Sequence, residues 1–419
     1  MLDLHDIRER AAEVKTNIRD RNVNVDVDAL LAADRRAREA KTRLDELRRR
    51  RNEIGAAMQG GLTPEQRGPL VEEGRRLKEE EAALERAHQE AEAERHERLL
   101  QVPNFSHPQA PVGAEESHNR VLRTHGSLPE FDFKPKDHVE LMEALQLVDF
   151  DGGAKVAGQK FYYLKNQAVL LELALMQFGI NLLMQEGFTP FITPDLARRE
   201  ILAGTGYNPR GDSTQIYSIE NSDLSLVATA EITLGGLLAG ETLEAERLPV
   251  LYAGVSHCFR TEAGSAGRES RGLYRVHQFT KVEMFAFTHP SQSDAMHDRM
   301  VAIEEQIYQR LEIPYRVVDI CTGDLGAPAY RKFDLEAWMP GRGQWGEITS
   351  TSNCTDYQAR RLDVRFKEKG KKGTQFVHML NGTAIAVSRT MIALLENGQR
   401  RDGSIRLPAA LGLADIPPR

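Results

Sequence analysis

Cysteine is scarce in this chain. Cys258, Cys321 and Cys354 are the three in 419 residues, far apart and in no metal-type pair. That spacing excludes a disulfide framework and a thiolate metal knuckle, so we expect no zinc and a reducing, cytoplasmic compartment. The N-terminus MLDLHDIRER has no apolar run of the kind a secretory signal needs, and without secretion the N-x-S/T matches at Asn104, Asn353 and Asn381 carry no meaning. Long hydrophobic runs are also missing. The most apolar stretch, AVLLELALMQFGINLLM at 168–184, is interrupted by Glu172, Gln177 and Asn181 and is short for a membrane span, so a buried or dimer-facing helix is expected and no membrane partner. A net charge of −7 excludes a general basic coat, and any nucleic-acid contact must be local. GRGQWG at 341–346 fits a G-x-G-x-x-G pattern, but a β-type run follows it, which leaves no helix N-terminus for a pyrophosphate.

What is present, 41% hydrophobic and 28% charged residues, suits two or three globular domains with a sizeable core. Leu4, Ile7, Ala11, Val14 and Ile18 predict one amphipathic helix. A longer pattern over about 27–58 puts Leu30, Ala33, Ala37, Ala40, Leu44, Leu47, Arg51, Ile54 and Met58 on a heptad seam that only Arg51 breaks. Gly60 and Gly61 end it, Thr63 and Pro64 start another helix, and Leu77, Leu84, Ala87 and Ala91 supply a matching stripe to about Leu100. The result is an antiparallel helical hairpin with arms of roughly 45 to 50 Å. Its first arm carries Arg35, Arg36, Arg38, Lys41, Arg43, Arg48 and three further arginines against four acids. Such a stripe is either a solvated face or a phosphate-contacting one. Prolines 103, 108, 111, 129 and 135 mark a linker, dividing the chain into 1–105, 106–136 and 137–419.

Residues 257–285, HCFRTEAGSAGRESRGLYRVHQFTKVEMF, read as a strand, a glycine-bearing loop and a returning strand. On the returning strand Val276, Thr280, Val282 and Met284 share a core side, and His277, Phe279, Lys281 and Glu283 share the other. Phe279 and Glu283 are roughly 13 Å apart at about 3.3 Å per residue. An aromatic able to stack on a base and an acid able to take an ammonium thus bracket the length of an aminoacyl-adenylate, with Arg260 between them for phosphate and carboxylate. The competing reading is a surface hairpin with an ordinary polar face.

FRTEAGSAGRESRGLYRVHQF resembles motif 2 of class II aminoacyl-tRNA synthetases in the form used by seryl-tRNA synthetases, and the resemblance runs along essentially the whole chain. It implies an α+β catalytic domain, an antiparallel sheet flanked by helices, behind an N-terminal coiled-coil arm that grips tRNA(Ser), and tRNA(Sec) with it. Further pieces match. Pro194 in GFTPFITPDL stands at motif 1, which implies a homodimer; Thr229, Ala230 and Glu231 match the TAE serine loop; the run 347–350, EITS, matches the segment that holds ATP-bound Mg²⁺; and 378–399, HMLNGTAIAVSRTMIALLENGQ, resembles motif 3.

The resemblance implies ATP-dependent joining of L-serine to tRNA, with Arg260, Glu283 and Arg389 as the catalytic set. Serine falls to Thr229, Ala230, Glu231, Arg260, Glu283 and Thr383. ATP falls to Arg260, Thr261, Glu262, Val276, Phe279, Glu347, Ile348, Thr349, Ser350 and Arg389, with Glu347 and Ser350 on Mg²⁺. Where Ala228 stands, many relatives have Pro, a change that alters loop stiffness more than chemistry; where Ala384 and Ser388 stand, many have Gly, which questions the backbone path beside Arg389. Alternatives within the same resemblance are a carrier-loading paralogue, a non-catalytic relative, and an antibiotic-resistant second copy.

Overall fold

The computed structural model describes residues 1–207, 215–262 and 271–419, which form two compact units, Met1–Pro103 and Asn104–Arg419. The centre of the loop expected between the two strands, 263–270, lies outside the described residues.

The first unit is helical: α1 (Leu4–Glu9), α2 (Ala11–Asp20), α3 (Val27–Met58) and α4 (Pro64–Gln101). The expected single first helix is two, because Arg10 leaves the helical region at φ −116°, ψ 32°. Thr63 caps α4 in a capping box with Gln66, and Pro64 follows it, since Pro has no N–H to lose at that position. The seam of α3 is buried at Leu30, Ala33, Ala37, Leu44, Leu47 and Ile54.

In α4, Leu77 and Ala91 are buried and Leu84 packs in the cluster of Leu77 with Leu47 and Ile54, but Ala87 is exposed. The stripe runs instead through Glu81, His88 and Arg95, four residues after each apolar position. The polar break in the first arm explains the shift: Arg51 pairs across the seam with Glu81. Beside the seam, Asp34 is buried and takes Arg8 at 2.7 Å, Arg38 at 3.0 Å and Arg95 at 3.4 Å. Burial alone would raise its carboxyl, but Arg8 and Arg38 outweigh burial and hold it below the ordinary range.

The second unit contains helices α5 (His138–Ala144), α6 (Phe150–Ala157), α7 (Gln167–Gln185), α8 (Arg199–Thr205), α9 (Ala230–Gly236), α10 (Ser293–Arg310), α11 (Tyr357–Leu362) and α12 (Val387–Gly398). Its strands are β1 (Arg120–His125), β2 (Val148–Asp149), β3 (Tyr163–Leu164), β4 (Thr189–Ile192), β5 (Leu196–Arg198), β6 (Leu224–Leu226), β7 (Thr242–Glu244) and β8 (Val250–Phe259), followed by β9 (Gln278–Thr288), β10 (Tyr315–Asp319), β11 (Arg331–Met339), β12 (Gln344–Asn353), β13 (Arg365–Lys367), β14 (Gln375–Phe376) and β15 (His378–Ala386). The main sheet has the order β1-β10-β11-β12-β15-β9-β8-β4. It is antiparallel except where β4 runs alongside β8, which is the antiparallel sheet with flanking helices that the sequence implies.

The two faces of β9 differ as its alternation predicts. Val282, Met284 and Ala286 enter the main core with Leu171 and Leu175 of α7, Met300 and Ile307 of α10, and Met391 and Ile392 of α12. Phe285 and Phe287 enter a second core with α9 and α11. The second face continues backwards to Glu283, Lys281 and Phe279, so a cavity floor and an apolar core share one strand.

Helix α7 needs a correction. At 19 residues it is long and apolar enough to cross a membrane, and a third of it is buried in this chain. The apolar stretch 168–184 lies inside it, with Gln167 and Gln185 as its first and last residues. Its packed side lies on the core, and its other side exposes Val169, Leu170, Leu173 and Met184.

Candidate active site

Antiparallel pairing of β8 with β9 sets Cys258 opposite Phe279 and Gly254 opposite Glu283. Over this floor lies a cavity of about 390 Å³ whose walls include Glu231, Arg260, Phe279, Lys281, Glu283 and Arg389. The ring, the guanidinium and the acid therefore meet in one cavity. Arg260 is not midway, however. Its guanidinium rests 5.2 Å from the Phe279 ring centroid, and its Nε donates to the Ala228 carbonyl at 3.3 Å, because β8 ends one residue earlier and the chain turns there.

Glu231 lines the same cavity as Glu283. Tyr207 Oη donates to it at 3.1 Å, Gln358 Nε2 at 2.7 Å and Asn381 Nδ2 at 3.0 Å. Burial first, then the neighbouring Glu283, pushes its carboxyl up to about 7. Thr229 and Ala230 do not line the cavity. Thr229 instead caps α9, accepting from the Glu231 N–H at 3.3 Å, and so fixes the backbone of the acid that does. The cage of Tyr207, Gln358 and Asn381 has no sequence signal, because its members come from three distant elements.

On β12, Ser350 and Ser352 line the cavity, while Thr349 donates to the buried Glu304 at 2.8 Å and Thr351 also bonds it. Strict alternation would then turn Glu347 down with Thr349. It does not, because the pairing with β11 slips by one residue, Leu335 facing Thr349 and Glu336 facing Glu347. Ile348 is the extra residue and is buried in the main core. A bulge of this kind re-aims a side chain, and here it returns Glu347 to the face of Ser350. Ile348 and Thr349 thus offer the cavity backbone rather than side chain. Asp334, opposite Ser350 in register, lies 3.8 Å from Lys332, and burial drives its carboxyl upward. Neither residue was legible from sequence.

A second slip separates β15 from β9, with Thr383 facing Glu283 and Ile385 facing Val282. Ala384 is the extra residue, and neither it nor Ser388 has a positive φ, so the backbone beside Arg389 does not require the glycines of other relatives. The slip leaves Thr383 and Ala386 in the cavity wall, with Ser388 and Arg389 following in the first turn of α12. Arg389 lies 4.7 Å from the Tyr274 ring centroid and 3.0 Å from Glu347. Burial would raise the Glu347 carboxyl, but Arg389, Lys332 and Arg260 hold it below the ordinary range. Val276 lines the cavity too, and Glu262, at φ 49°, pairs with Arg275 at 3.2 Å. Thr261 is outside the walls. Two oxygen donors, Glu347 and Ser350, share one face, which suits a magnesium ion carried in on phosphates.

In the helical unit, five of the six expected phosphate-contacting residues, all but Arg35, are paired with acids. Arg36 bonds Glu94, Arg38 meets Asp34, Lys41 meets Asp45 at 3.0 Å, Arg43 meets Glu80 at 3.2 Å, and Arg48 reaches Glu81 and Glu85 at 3.0 and 2.5 Å. The second arm thus offsets the basic excess of the first. The exposed pairs among these, such as Lys41 with Asp45 and Arg43 with Glu80, are worth about 0 to 1 kcal/mol each, so phosphates can displace them.

This sheet and cavity are those of a class II tRNA synthetase: residues 216–398 match the tRNA synthetase class II core domain (G, H, P, S and T). Residues 1–106 match the seryl-tRNA synthetase N-terminal domain. The chain is 59% identical to the serine--tRNA ligase of Rubrobacter xylanophilus, covering 98% of this chain and 97% of that one, and 54% identical to that of Treponema denticola, covering 98% of each. Among solved structures, the seryl-tRNA synthetase of Pyrococcus horikoshii complexed with ATP superposes with a TM-score of 0.93 at 40% identity over 100% of both chains. The cytoplasmic serine-tRNA ligase of Naegleria fowleri in complex with AMP gives 0.86 at 32%, over 97% and 96%. The chain belongs to the seryl-tRNA synthetase family.

Proposed function

We propose that this chain joins L-serine to tRNA(Ser) at the expense of ATP, by way of seryl-adenylate. The observation that carries the reading is the single face of β9 that puts Phe279, Lys281 and Glu283 under one cavity with Glu231, Arg260 and Arg389. A carboxylate oxygen of serine attacks the α-phosphorus and pyrophosphate leaves. A hydroxyl of the terminal ribose then attacks the serine carbonyl carbon, AMP leaves, and the hydroxyl proton is released. No side chain has to act as nucleophile, so alignment and charge neutralisation do most of the work.

In this reading Glu231 takes the serine ammonium, and Thr229 with Ala230 hold its loop. Glu283 and Thr383 take the hydroxyl. Arg260 neutralises the α-phosphate and carboxylate. Phe279 stacks on adenine, with Thr261, Glu262 and the backbone of Val276 along its edge. Arg389 leaves Glu347 for the γ-phosphate, and Glu347 and Ser350, flanked by the backbone of Ile348 and Thr349, would hold a nucleotide-borne Mg²⁺, which would supply further neutralisation of phosphate charge. Arg35, Arg36, Arg38, Lys41, Arg43 and Arg48 contact tRNA phosphates, and the same arm serves tRNA(Sec). The exposed apolar side of α7 and Ile192 on the edge strand β4 support a homodimer, since such an edge needs covering. Three free, buried cysteines suit the cytoplasm. A carrier-loading paralogue is not favoured, because the helical arm is full length.

Pyrophosphate exchange into ATP tests the reading. Exchange should require serine, and equal exchange with alanine or glycine would overturn it.

A further inference from the structure

Lys281 lies on the cavity face between Phe279 and Glu283 and is 6% exposed. Its Nζ is 2.5 Å from Glu283 Oε2 and donates to Thr383 Oγ1 at 3.4 Å. Thr383 in turn donates its only hydroxyl proton to Glu283 at 3.5 Å. All donors of this trio therefore converge on one carboxylate. A group arriving there finds Glu283 as acceptor, a threonine whose proton is committed, and an ammonium with one N–H bond to spare.

We propose that Lys281 is a specificity-determining residue: it pairs with Glu283, the acceptor for the proton of the substrate hydroxyl, and donates to the oxygen of that same hydroxyl. The inference rests on the serine reading above and deepens it. An alkyl side chain would leave the acceptor and the ammonium both unpaired, the arrangement under which a site rejects a non-bonding analogue most strongly. A thiol would fill the space, but sulfur is a weak donor and a weak acceptor, so the ammonium separates serine from cysteine where size cannot.

The charge is needed because of what else surrounds Glu283. Glu231 from α9, Glu304 from α10, Tyr207 after α8 and Cys258 on β8 all feel its charge. Two of these are carboxyls in the same buried region. Arg260 is a second cation there, engaged at the Phe279 end. Lys281 is the cation in contact. Its charge also draws the raised Glu231 carboxyl down, so removing it lets burial and Glu283 push that group further up.

Lys281→Met and Lys281→Gln in the full chain test the proposal through serine- and cysteine-dependent pyrophosphate exchange, with ATP affinity measured separately. For Lys281→Met the serine kcat/KM should fall at least 100-fold, the serine-over-cysteine ratio at least tenfold, and ATP affinity should stay within about threefold. The ascending limb of its serine pH profile should move up by at least one pH unit. Lys281→Gln keeps a neutral donor, so it should retain more of the serine-over-cysteine ratio while showing the same shift in the limb. Unchanged ratio and profile in both variants, or equal loss of ATP and serine binding, overturns the role of Lys281. A parent protein that does not activate serine overturns the functional reading instead, and the two failures are distinct.

Discussion

Nη1 of Arg389 lies 3.0 Å from both the carboxylate Oε1 and the main-chain carbonyl of Glu347. The two residues assigned to opposite ends of a metal–polyphosphate group thus neutralise one another across β12 and α12, and both must change partners when a nucleotide binds. Arg389→Gln should lower kcat/KM for ATP by about 10² to 10³, the range for losing one preorganised charge-stabilising donor. Glu347→Gln should shift the Mg²⁺ dependence of exchange to higher concentration. An ATP kcat/KM within twofold of the parent in both variants would remove them from the phosphate site.

Glu231 offers a pH test. Its carboxyl, raised to about 7 by burial and then by Glu283, binds a proton in the folded state that the unfolded chain releases near pH 4.5. The stability it contributes is present below pH 4.5 and is lost as pH rises through about 7. The difference in unfolding free energy between Glu231→Gln and the parent should therefore move in favour of the variant between pH 5 and 8, by at most about 3 kcal/mol. Denaturant melts at the two pH values give this difference directly, and a constant difference refutes the raised carboxyl. In the same window the serine kcat/KM of the parent should rise with pH, because an ammonium needs the ionised form.

Gly254 faces Glu283 across the floor. A Cβ there would meet Leu234 Cδ1 at 2.9 Å, Ala230 Cβ at 3.0 Å and Thr193 Cγ2 at 3.2 Å. Gly254→Ala should destabilise by about 1 to 3 kcal/mol through overpacking and, by displacing Ala230, raise the serine KM with little change for ATP. A variant with parental stability and serine KM would show that the loop yields freely.

Deleting 37–94 should abolish tRNA charging while leaving serine-dependent exchange largely intact. Arg43→Ala and Arg48→Ala, which break cross-arm pairs, should raise the tRNA KM several-fold and flatten its salt dependence. Undiminished charging by the deletion would show that the arm does not read tRNA.

Leu173 is 55% exposed on the apolar side of α7. Leu173→Asp should shift the sedimentation of the chain from dimer to monomer, and a monomeric parent would dispose of the dimer.

The floor was legible because strand alternation is local: Phe279, Lys281 and Glu283 need nothing but β9 to share a face. The N-cap at Thr63 and the α3 seam were legible for the same reason. What escaped depends on partners remote in sequence. Gln358 and Asn381 meet Glu231 across more than a hundred positions. Ala87 was expected in a seam that Glu81 redirects, and Ile348 carries no letter that marks it as surplus. Arg10, which divides the first helix, lies inside a pattern of unbroken amphipathic spacing, and periodicity does not register one non-helical residue.

The surplus residues at 348 and 384 flank the cavity on adjacent strands. A floor copied onto a regular sheet with the same side chains in the same order would point Glu347 at the protein interior and throw the turn towards α12 out of phase. What must be inherited with this chemistry is a count: two uncompensated steps in the main chain, invisible in composition, that determine which side of the sheet each later letter can reach.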